Sequence, residues 1–240
     1  MDQLNKKEFW EESWVKHMHS YLNAPPRTGH FIEAYFGVSI NSILEIGGGS
    51  CRDSRYLAEK GYKVTASDFD EKTITYLKSK FENPIVKYIV ADAFNLCFEK
   101  KTFDLVFHNG LFIYFQDDLD LYKMIREQAK VSSKYILIIV HNKTNTVLVK
   151  KFKRLSKEDK LYDIRYFEPE EIKNIVMNSG IKYKKIELLK FGGMVDIIYR
   201  KILRRFMPAA LKSYVDKIMP KIFQFESWRT VERVVCLVEL

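Results

Sequence analysis

The stretch that most constrains the fold is residues 43–54, ILEIGGGSCRDS. A short apolar run ends in three consecutive glycines, Gly47, Gly48 and Gly49. Glycine allows a tight turn and a close approach of the backbone to another group. The residues that follow, 50–61, have a helical pattern that stops at a glycine. A buried strand, a glycine turn and a helix in this order predict the first β–α unit of an open α/β sheet.

Strands and helices alternate along most of the chain. Short apolar runs predict strands at residues 42–46, 62–68, 86–92, 102–109, 134–142, 181–189 and 233–240. Helical patterns separate them at residues 50–61, 71–81, 118–131 and 165–180. The fifth strand is the most apolar and is therefore expected near the centre of the sheet. The alternation predicts an α/β fold with a doubly wound, mostly parallel sheet of seven strands, and ligands at the carboxyl ends of those strands.

Two segments lie outside this alternation. Residues 4–21 predict a helix, and four ring-bearing side chains are spaced along one of its faces: Trp10, Trp14, His17 and Tyr21. We interpret the tryptophans as ordinary packing and expect His19 to be exposed. The second segment, residues 200–223, is a basic, partly amphipathic insert before the last strand, and we expect Pro208 and Pro220 to break it.

The acids around the glycine turn indicate what it holds. A dinucleotide-binding loop would need a third glycine where Arg52 stands, and no lysine or serine anchor of the phosphate-binding kind is present. Glu45 comes two residues before Gly47. A carboxylate there repels a pyrophosphate and suits a ligand with an ammonium group. Asp68 ends the second strand, where it can accept both hydroxyls of a ribose. Asp92 follows the third strand and can accept from an adenine amino group.

With acids at these successive strand ends, the chain resembles the class I S-adenosylmethionine-dependent methyltransferases from about residue 42 to residue 240. Five segments carry the resemblance: E-I-G-G-G at 45–49, Asp68, A-D-A at 91–93, TFDLVFHNG at 102–110 and RYFEPEEIKNIVMNSGIK at 165–182. The resemblance implies a Rossmann-like methyltransferase fold, with S-adenosylmethionine as cofactor and S-adenosylhomocysteine (SAH) as its product. It also implies one domain over residues 1–240: an N-terminal helical cap (1–37), a cofactor-binding core (38–199), a basic helical insert (200–230) and a last strand (231–240).

The family's pattern implies roles at both ends of the cofactor. Its methionine end would be held by Glu45 and by the backbone of Gly47, Gly48 and Gly49. Arg27, from the cap that often closes over the site in relatives, could pair with the methionine carboxylate.

The nucleoside end would fall to the next two strands. Asp68 would hold the ribose, and Phe69 could lie on the adenine face. Asp92 and the Ala93 backbone N–H would read the adenine, while Phe94 helps to enclose it.

The chemistry predicts candidate catalytic residues. Methyl transfer from a sulfonium depends on positioning the acceptor, and a hydroxyl or ammonium acceptor is helped by a general base such as histidine. His108 and His141 stand at the ends of the fourth and fifth strands; the alternative is that each simply hydrogen-bonds a loop. The resemblance places the backbone of His108 and Asn109 near the sulfonium. Tyr114 stands where relatives often carry a histidine, and it could orient a substrate.

Metal and disulfide chemistry are not predicted. No acid ends the fourth strand, where metal-dependent relatives place a ligand. Cys51, Cys97 and Cys236 are far apart and form no C-x-x-C pair, which favours a reduced, cytoplasmic compartment. The N-terminal residues are too charged for a signal peptide, and the longest apolar run, residues 135–140, is too short for a membrane span.

The formal net charge of +9 is concentrated in residues 150–160 and 200–221. We expect both segments to emerge beside the active site, where they would attract an anionic acceptor. The alternative is that they are solvated helix faces.

The predicted function is methyl transfer to a hydroxyl or amine of a small anionic molecule, such as a phosphorylated or nucleotide-linked sugar. One alternative is an RNA methyltransferase, although no RNA-binding module is visible. Another is a membrane-surface enzyme acting on a lipid or quinone, because the insert has the character of an interfacial helix. A non-catalytic relative of the fold would not need all three acids. The oligomeric state stays open.

Overall fold

The computed structural model describes residues 7–81 and 85–240. Their strands are β1 Ser42–Ile46, β2 Lys63–Asp68, β3 Val86–Val90, β4 Phe103–Asn109, β5 Ser132–His141, β6 Lys185–Phe191 and β7 Arg233–Glu239. They form one sheet in the order β3-β2-β1-β4-β5-β7-β6. β7 runs antiparallel to β5 and β6, and the other neighbouring pairs are parallel. The predicted fold class, a doubly wound, mostly parallel seven-stranded sheet, is confirmed.

Helices cover both faces of the sheet. They are α1 Lys7–Leu22, α2 Arg27–Phe36, α3 Arg52–Glu59, α4 Glu71–Lys80, α5 Asp118–Val131, α6 Thr146–Leu155, α7 Pro169–Asn178, α8 Met194–Ile198 and α9 Ala209–Phe223. Strand β5 shows why two layers are needed, because its successive side chains alternate between the faces. Leu137 and Ile139 pack in the core that contains α2, α3, α4 and α9. Ile136, Ile138 and Val140 pack in the core that contains α5 and α7.

The ends of several elements differ from the sequence prediction. Helix α7 begins at Pro169 rather than at residue 165, because Glu168 and Glu171 form a capping box there. The chain turns at Gly180, which has a φ of +81°. Strand β6 therefore begins at Lys185 and runs to Phe191, later than the predicted residues 181–189. Residues 4–6 of the predicted first helix lie outside the described residues.

The insert between β6 and β7 is a helical hairpin. Helix α8 continues through a π-helical turn, Tyr199–Leu203, and a 3₁₀ turn, Arg204–Phe206, before α9 returns along α2 and β6. The predicted break at Pro220 is wrong, since α9 runs through it. Pro220 lies in the last turn of the helix and is buried, so the missing N–H removes only one bond near the helix end. Pro208 precedes the first residue of α9, where a proline is well tolerated.

Across residues 7–81 and 85–240, the helices are all too short or too polar to pass through a bilayer.

Candidate active site

The glycine turn after β1 is held between the sheet and α1. Gly47 and Gly49 have φ values of +60° and +52°, a region that side chains disfavour. The Gly49 N–H donates to the Asp68 carboxylate over 2.8 Å, which ties the turn to the end of β2. A Cβ atom at Gly49 would lie 2.0 Å from the ring of Trp14 on α1. Only glycine fits this position. Gly49 is buried and does not line the cleft described below, unlike Gly47 and Gly48.

Glu45 is a buried carboxyl group beside this turn. Its Oε2 accepts a hydrogen bond from the Ser54 hydroxyl over 2.5 Å. Burial, followed by the nearby Asp53 carboxylate, raises the pKa of Glu45 well above its ordinary value. A cationic group placed next to Glu45 would stabilise its ionised form, so the position is suited to an ammonium.

Two further acids stand at the ends of β2 and β3. Asp68 is buried and accepts from the backbone N–H groups of Gly49 and Asp70, and burial raises its pKa to about 6. Asp92 is exposed and accepts from the Phe94 N–H over 2.9 Å. The side chain of Phe69 is 39% exposed and free to lie against a planar ligand.

One cleft of about 780 Å³ brings most of the predicted site residues together. Those that line it are Glu45, Gly47, Gly48, Asp68, Phe69, Asp92, Ala93, Phe94, Asn109, Tyr114 and His141. The acids lie at β1, β2 and β3, whereas His141 and Arg233 lie at β5 and β7. The cleft therefore has an acidic half and a basic half, which we call the β1–β3 half and the β5–β7 half.

His108 does not fit the predicted role of a catalytic base. It is fully buried, its ring centroid lies 4.1 Å from that of Phe112, and it does not line the cleft. Burial lowers its pKa to about 3. Side chains alternate along β4, so His108 points into the core while Asn109 reaches the cleft. We assign His108 no part in proton transfer.

Arg27 also lies away from the cleft. Its guanidinium donates to Asp196 over 2.5 Å and to Glu232 over 2.9 Å, in a smaller cavity beside the insert. Both carboxylates are largely buried. Arg27 thus joins α2 to the insert and to the residue before β7, and it does not line the cleft that holds the other predicted cofactor residues.

His141 and Arg233 form the polar centre of the β5–β7 half. They are direct partners in the antiparallel register of β5 and β7. Burial, together with the charge of Arg233, lowers the pKa of His141 to about 3, so its imidazole is neutral at physiological pH. The Arg233 guanidinium donates to the Asn109 side chain, and its Nε, 3.8 Å from Glu232, is buried without a hydrogen bond to any described residue.

Tyr114 lies in the 3₁₀ turn after β4, on the wall of the cleft. Its hydroxyl donates to the Leu161 carbonyl over 3.3 Å. Burial raises its pKa far above the ordinary value, so the side chain is a neutral hydrogen-bonding group rather than a base.

Helix α1 forms the roof of the cleft, and its tryptophans are more than ordinary packing. Trp10 meets Tyr114 edge-on, with ring centroids 4.6 Å apart, and lies 6.5 Å from Phe69. His17 accompanies Lys16 in holding Asp159, at 2.9 Å and 2.7 Å respectively. The helix therefore closes the cleft with aromatic rings and is fastened to the segment after α6.

Sequence reasoning missed two cleft arginines. Arg52 was considered only as the residue replacing a glycine, but its side chain lines the cleft, and its buried Nε has no hydrogen bond to any described residue. Arg233 was visible as the first residue of the last strand. An antiparallel last strand begins at the ligand edge, so the topology alone could have identified it.

The basic segments do not surround the cleft as predicted. Among the described residues, the insert contributes none to the cleft, because α9 packs back against α2. From α6 only Phe152 reaches it, and Lys150, Lys153 and Arg154 do not line it.

No group of three or more histidine, cysteine, aspartate or glutamate side chains is arranged to hold a metal ion within residues 7–81 and 85–240.

Comparison with known proteins places the fold. Residues 43–134 match a family model for a methyltransferase domain. No curated protein matches the chain. The plantazolicin methyltransferase BpumL in complex with SAH is 15% identical with a TM-score of 0.62, over 97% of this chain and 95% of that one.

Two other solved structures are similar. Magnesium protoporphyrin IX methyltransferase (ChlM) from Synechocystis PCC 6803 with bound SAH is 13% identical with a TM-score of 0.56, over 94% of this chain and 84% of that one. A chain of the complex between the Haloferax volcanii Trm112 methyltransferase activator and a methyltransferase is 13% identical with a TM-score of 0.62, over 100% and 98%. At these identities the structures share the fold.

Proposed function

We propose that the chain, whose residues 43–134 match a family model for a methyltransferase domain, is an S-adenosylmethionine-dependent methyltransferase. Its acceptor would be a hydroxyl or amine of a small molecule that carries an aromatic or apolar body and an anionic group. The observation that carries this proposal is the division of one cleft into an acidic half suited to the cofactor and a half that contains Arg233 and His141.

The β1–β3 half fits S-adenosylmethionine. Glu45 is a buried carboxyl group that a ligand ammonium would stabilise in its ionised form. Asp68 retains acceptor capacity toward the ribose, and Asp92 is exposed toward the place assigned to the adenine. The bound cofactor supplies an activated methyl group on a sulfonium. The chain's residues would position that group and exclude water from it.

We assign the methionine carboxylate to Arg52 in place of Arg27. Arg52 begins α3, directly after the glycine turn, and its guanidinium lies over the ring of Tyr21 at 5.5 Å from the centroid. It lines the same cleft as Glu45 and Gly48. An arginine beside a glutamate matches the two opposite charges of an amino acid.

The β5–β7 half fits an anionic acceptor. Arg233 is a largely buried cation whose Nε–H lies 3.8 Å from Glu232 and forms no hydrogen bond to any described residue. Aromatic side chains line the space around it: Trp10, Tyr21, Tyr114, Phe152 and Tyr162. A planar or apolar body would pack on these rings, while a carboxylate or phosphate would pair with Arg233.

His141 is the candidate general base. It is neutral at physiological pH and so can accept a proton, but burial and the adjacent Arg233 charge lower its pKa and make it a weak base. An anionic group paired with Arg233 would offset that charge and raise the pKa of His141. The acceptor would thus improve the base that deprotonates it.

The test compares acceptors in pairs. Purified protein is supplied with S-adenosylmethionine, and SAH formation is measured for aromatic acids, phosphorylated sugars and nucleotide-linked sugars against neutral esters or dephosphorylated analogues. We expect kcat/KM to be about 100-fold higher for the anionic member of the productive pair. Equal rates for both members would contradict the proposed role of Arg233.

RNA methylation remains the alternative to be tested. A polynucleotide substrate would need a track of cations leading to the methyl group. Within the described residues, neither basic segment supplies such a track to the cleft. Turnover of RNA with a steep salt dependence, and none of small molecules, would favour that alternative.

A further inference from the structure

The helical hairpin between β6 and β7 exposes an apolar surface that the cleft does not use. The exposed side chains of its first arm are Met194, Val195, Ile197, Ile198, Ile202, Leu203 and Phe206, and Leu211 and Tyr214 follow on α9. Phe206 is 78% exposed, Met194 58% and Ile202 53%. Scattered exposed apolar residues are normal, but this many in one short hairpin mark a contact surface. We call residues 194–214 the hairpin surface.

Cations are interleaved with these apolar side chains. Lys201 and Arg205 are both exposed, one helical turn apart, and flank Ile202. Among the residues that the structure describes, the Arg205 guanidinium donates only to the Lys201 backbone carbonyl. Within the part of the chain that the structure describes, neither side chain forms an ion pair. Their charges are therefore available to an outside partner.

The acids of the hairpin are turned inward and neutralised. Asp196 is buried and accepts from Arg27 and Arg200. Asp216 accepts from Tyr199 over 2.9 Å and from Arg204 over 3.2 Å. The outward side of the hairpin thus presents apolar and cationic groups without an exposed carboxylate between residues 194 and 214.

We propose that the hairpin surface docks on a bilayer that contains anionic lipid. Apolar side chains would enter the boundary between headgroups and acyl chains, and Lys201 and Arg205 would meet the negative headgroups. This charge complementarity favours a lipid surface over a second copy of the chain, because two such cationic surfaces would repel each other.

The hairpin begins at the edge of the sheet where the cleft opens, so docking of the hairpin surface would hold that edge near the bilayer. β6 runs parallel to β5, since β7 is antiparallel to both. Helix α8 therefore starts at the edge of the sheet where the cleft opens. The proposal is independent of the acceptor's identity, because none of its residues lines the cleft.

Vesicle flotation tests the proposal. The probes are vesicles of phosphatidylcholine alone and of phosphatidylcholine mixed with phosphatidylglycerol. We expect the protein to float with the anionic vesicles, and high salt to release it. The variants Ile202→Asp and Lys201→Glu/Arg205→Glu should each weaken this binding about tenfold or more.

Matched control variants distinguish binding through the hairpin surface from nonspecific binding of the protein to vesicles. Leu119→Asp changes a side chain that is 60% exposed on α5, which covers the other face of the sheet. Lys153→Glu/Arg154→Glu makes the same charge change on the exposed surface of α6. Both should bind anionic vesicles as the wild type does. Thermal unfolding and S-adenosylmethionine binding show whether each variant is folded, and the charge variants keep the test valid if Ile202→Asp is not.

Three results would overturn the proposal. The first is absence of binding to both kinds of vesicle. The second is an equal loss of binding in the test and control variants. The third is self-association of the wild type in sedimentation velocity that Phe206→Asp abolishes, without any vesicle binding, which would identify a second copy as the occupant.

Discussion

His141 and Arg233 face each other across β5 and β7 as partners in the antiparallel register. Burial, together with the Arg233 charge, lowers the pKa of His141. Both residues lie on paired strands rather than on loops, so the distance between the proposed anion site and the proposed base would be fixed. The first prediction follows from this arrangement.

His141→Gln should lower kcat about 100-fold with little effect on the affinity for S-adenosylmethionine, because a positioned base contributes about that much. Single-turnover SAH formation and calorimetry measure the two quantities.

Arg233→Met should instead raise KM for the acceptor, and it should raise the pKa of His141 by removing a nearby positive charge. His19→Gln, an exposed histidine on α1, is the matched control. Full turnover by His141→Gln would exclude a base at this position.

The affinity for S-adenosylmethionine should rise with pH through the raised pKa of Glu45, about 8. The reason is that a protonated Glu45 must lose its proton before it can pair with an ammonium. Glu45→Gln should bind more weakly and lose this pH dependence above pH 6. Calorimetry across the pH range measures it. A pH dependence that persists in the variant would show that another group is responsible.

The same carboxyl group should make the unliganded protein less stable as pH rises. Its folded pKa is above the ordinary value of 4.5, so the folded state binds the extra proton, and this stabilisation is lost between about pH 4.5 and about pH 8. Asp68 acts in the same direction but only up to about pH 6. The Tm should therefore fall less between pH 6 and 8 in Glu45→Gln than in the wild type, and thermal unfolding measures this difference.

Gly49→Ala should displace α1. The substitution places a Cβ atom against Trp14 and also strains a backbone with a φ of +52°. Gly180→Ala, just after α7, is the control, because its φ is +81° and no described atom lies within 4 Å of the added Cβ. We expect about 1 kcal/mol of destabilisation at Gly180 and clearly more at Gly49. Denaturant unfolding measures both.

A double-mutant cycle isolates the contact. Trp14→Ala in the Gly49→Ala background should recover the excess destabilisation, since the clashing ring is removed. If the two substitutions prove additive, Trp14 does not press on the turn in solution.

Substitutions of Arg27 and Arg52 should have different effects, the first on the free energy of unfolding and the second on the affinity for S-adenosylmethionine. Arg27→Met leaves the Asp196 and Glu232 carboxylates without their shared cation and should cost about 3–5 kcal/mol of unfolding free energy. Arg27 helps to hold the pKa of Glu232 at about 2. The ion pair between Arg27 and Glu232 therefore stabilises the folded state fully above about pH 4.5, and this contribution is lost as the pH falls toward 2. Arg52→Met should instead weaken S-adenosylmethionine binding about tenfold or more. The reverse pattern would restore Arg27 as the carboxylate ligand.

The fold and the acidic half of the cleft were predictable because their signals are local. Glu45, Asp68 and Asp92 each end or follow a strand, and parallel strands bring their carboxyl ends together. The ion pairs of Arg27 were not predictable, because its partners are 169 and 205 residues away. No local pattern reveals a contact of that range. His108 and Asn109 are neighbours at the end of β4, and the alternation of side chains along the strand places only Asn109 in the cleft. The sequence alone does not show which of the two is covered by the 3₁₀ turn that follows.

The ring of Trp10 on α1 lies against those of Phe69 and Tyr114. If the cofactor and the acceptor bind as proposed, α1 would shield both ligands, and its displacement would uncover both at once. Exchange of SAH for fresh cofactor and entry of the acceptor would then share a single opening event. Stopped-flow traces for the two ligands should report the same conformational rate constant at saturation.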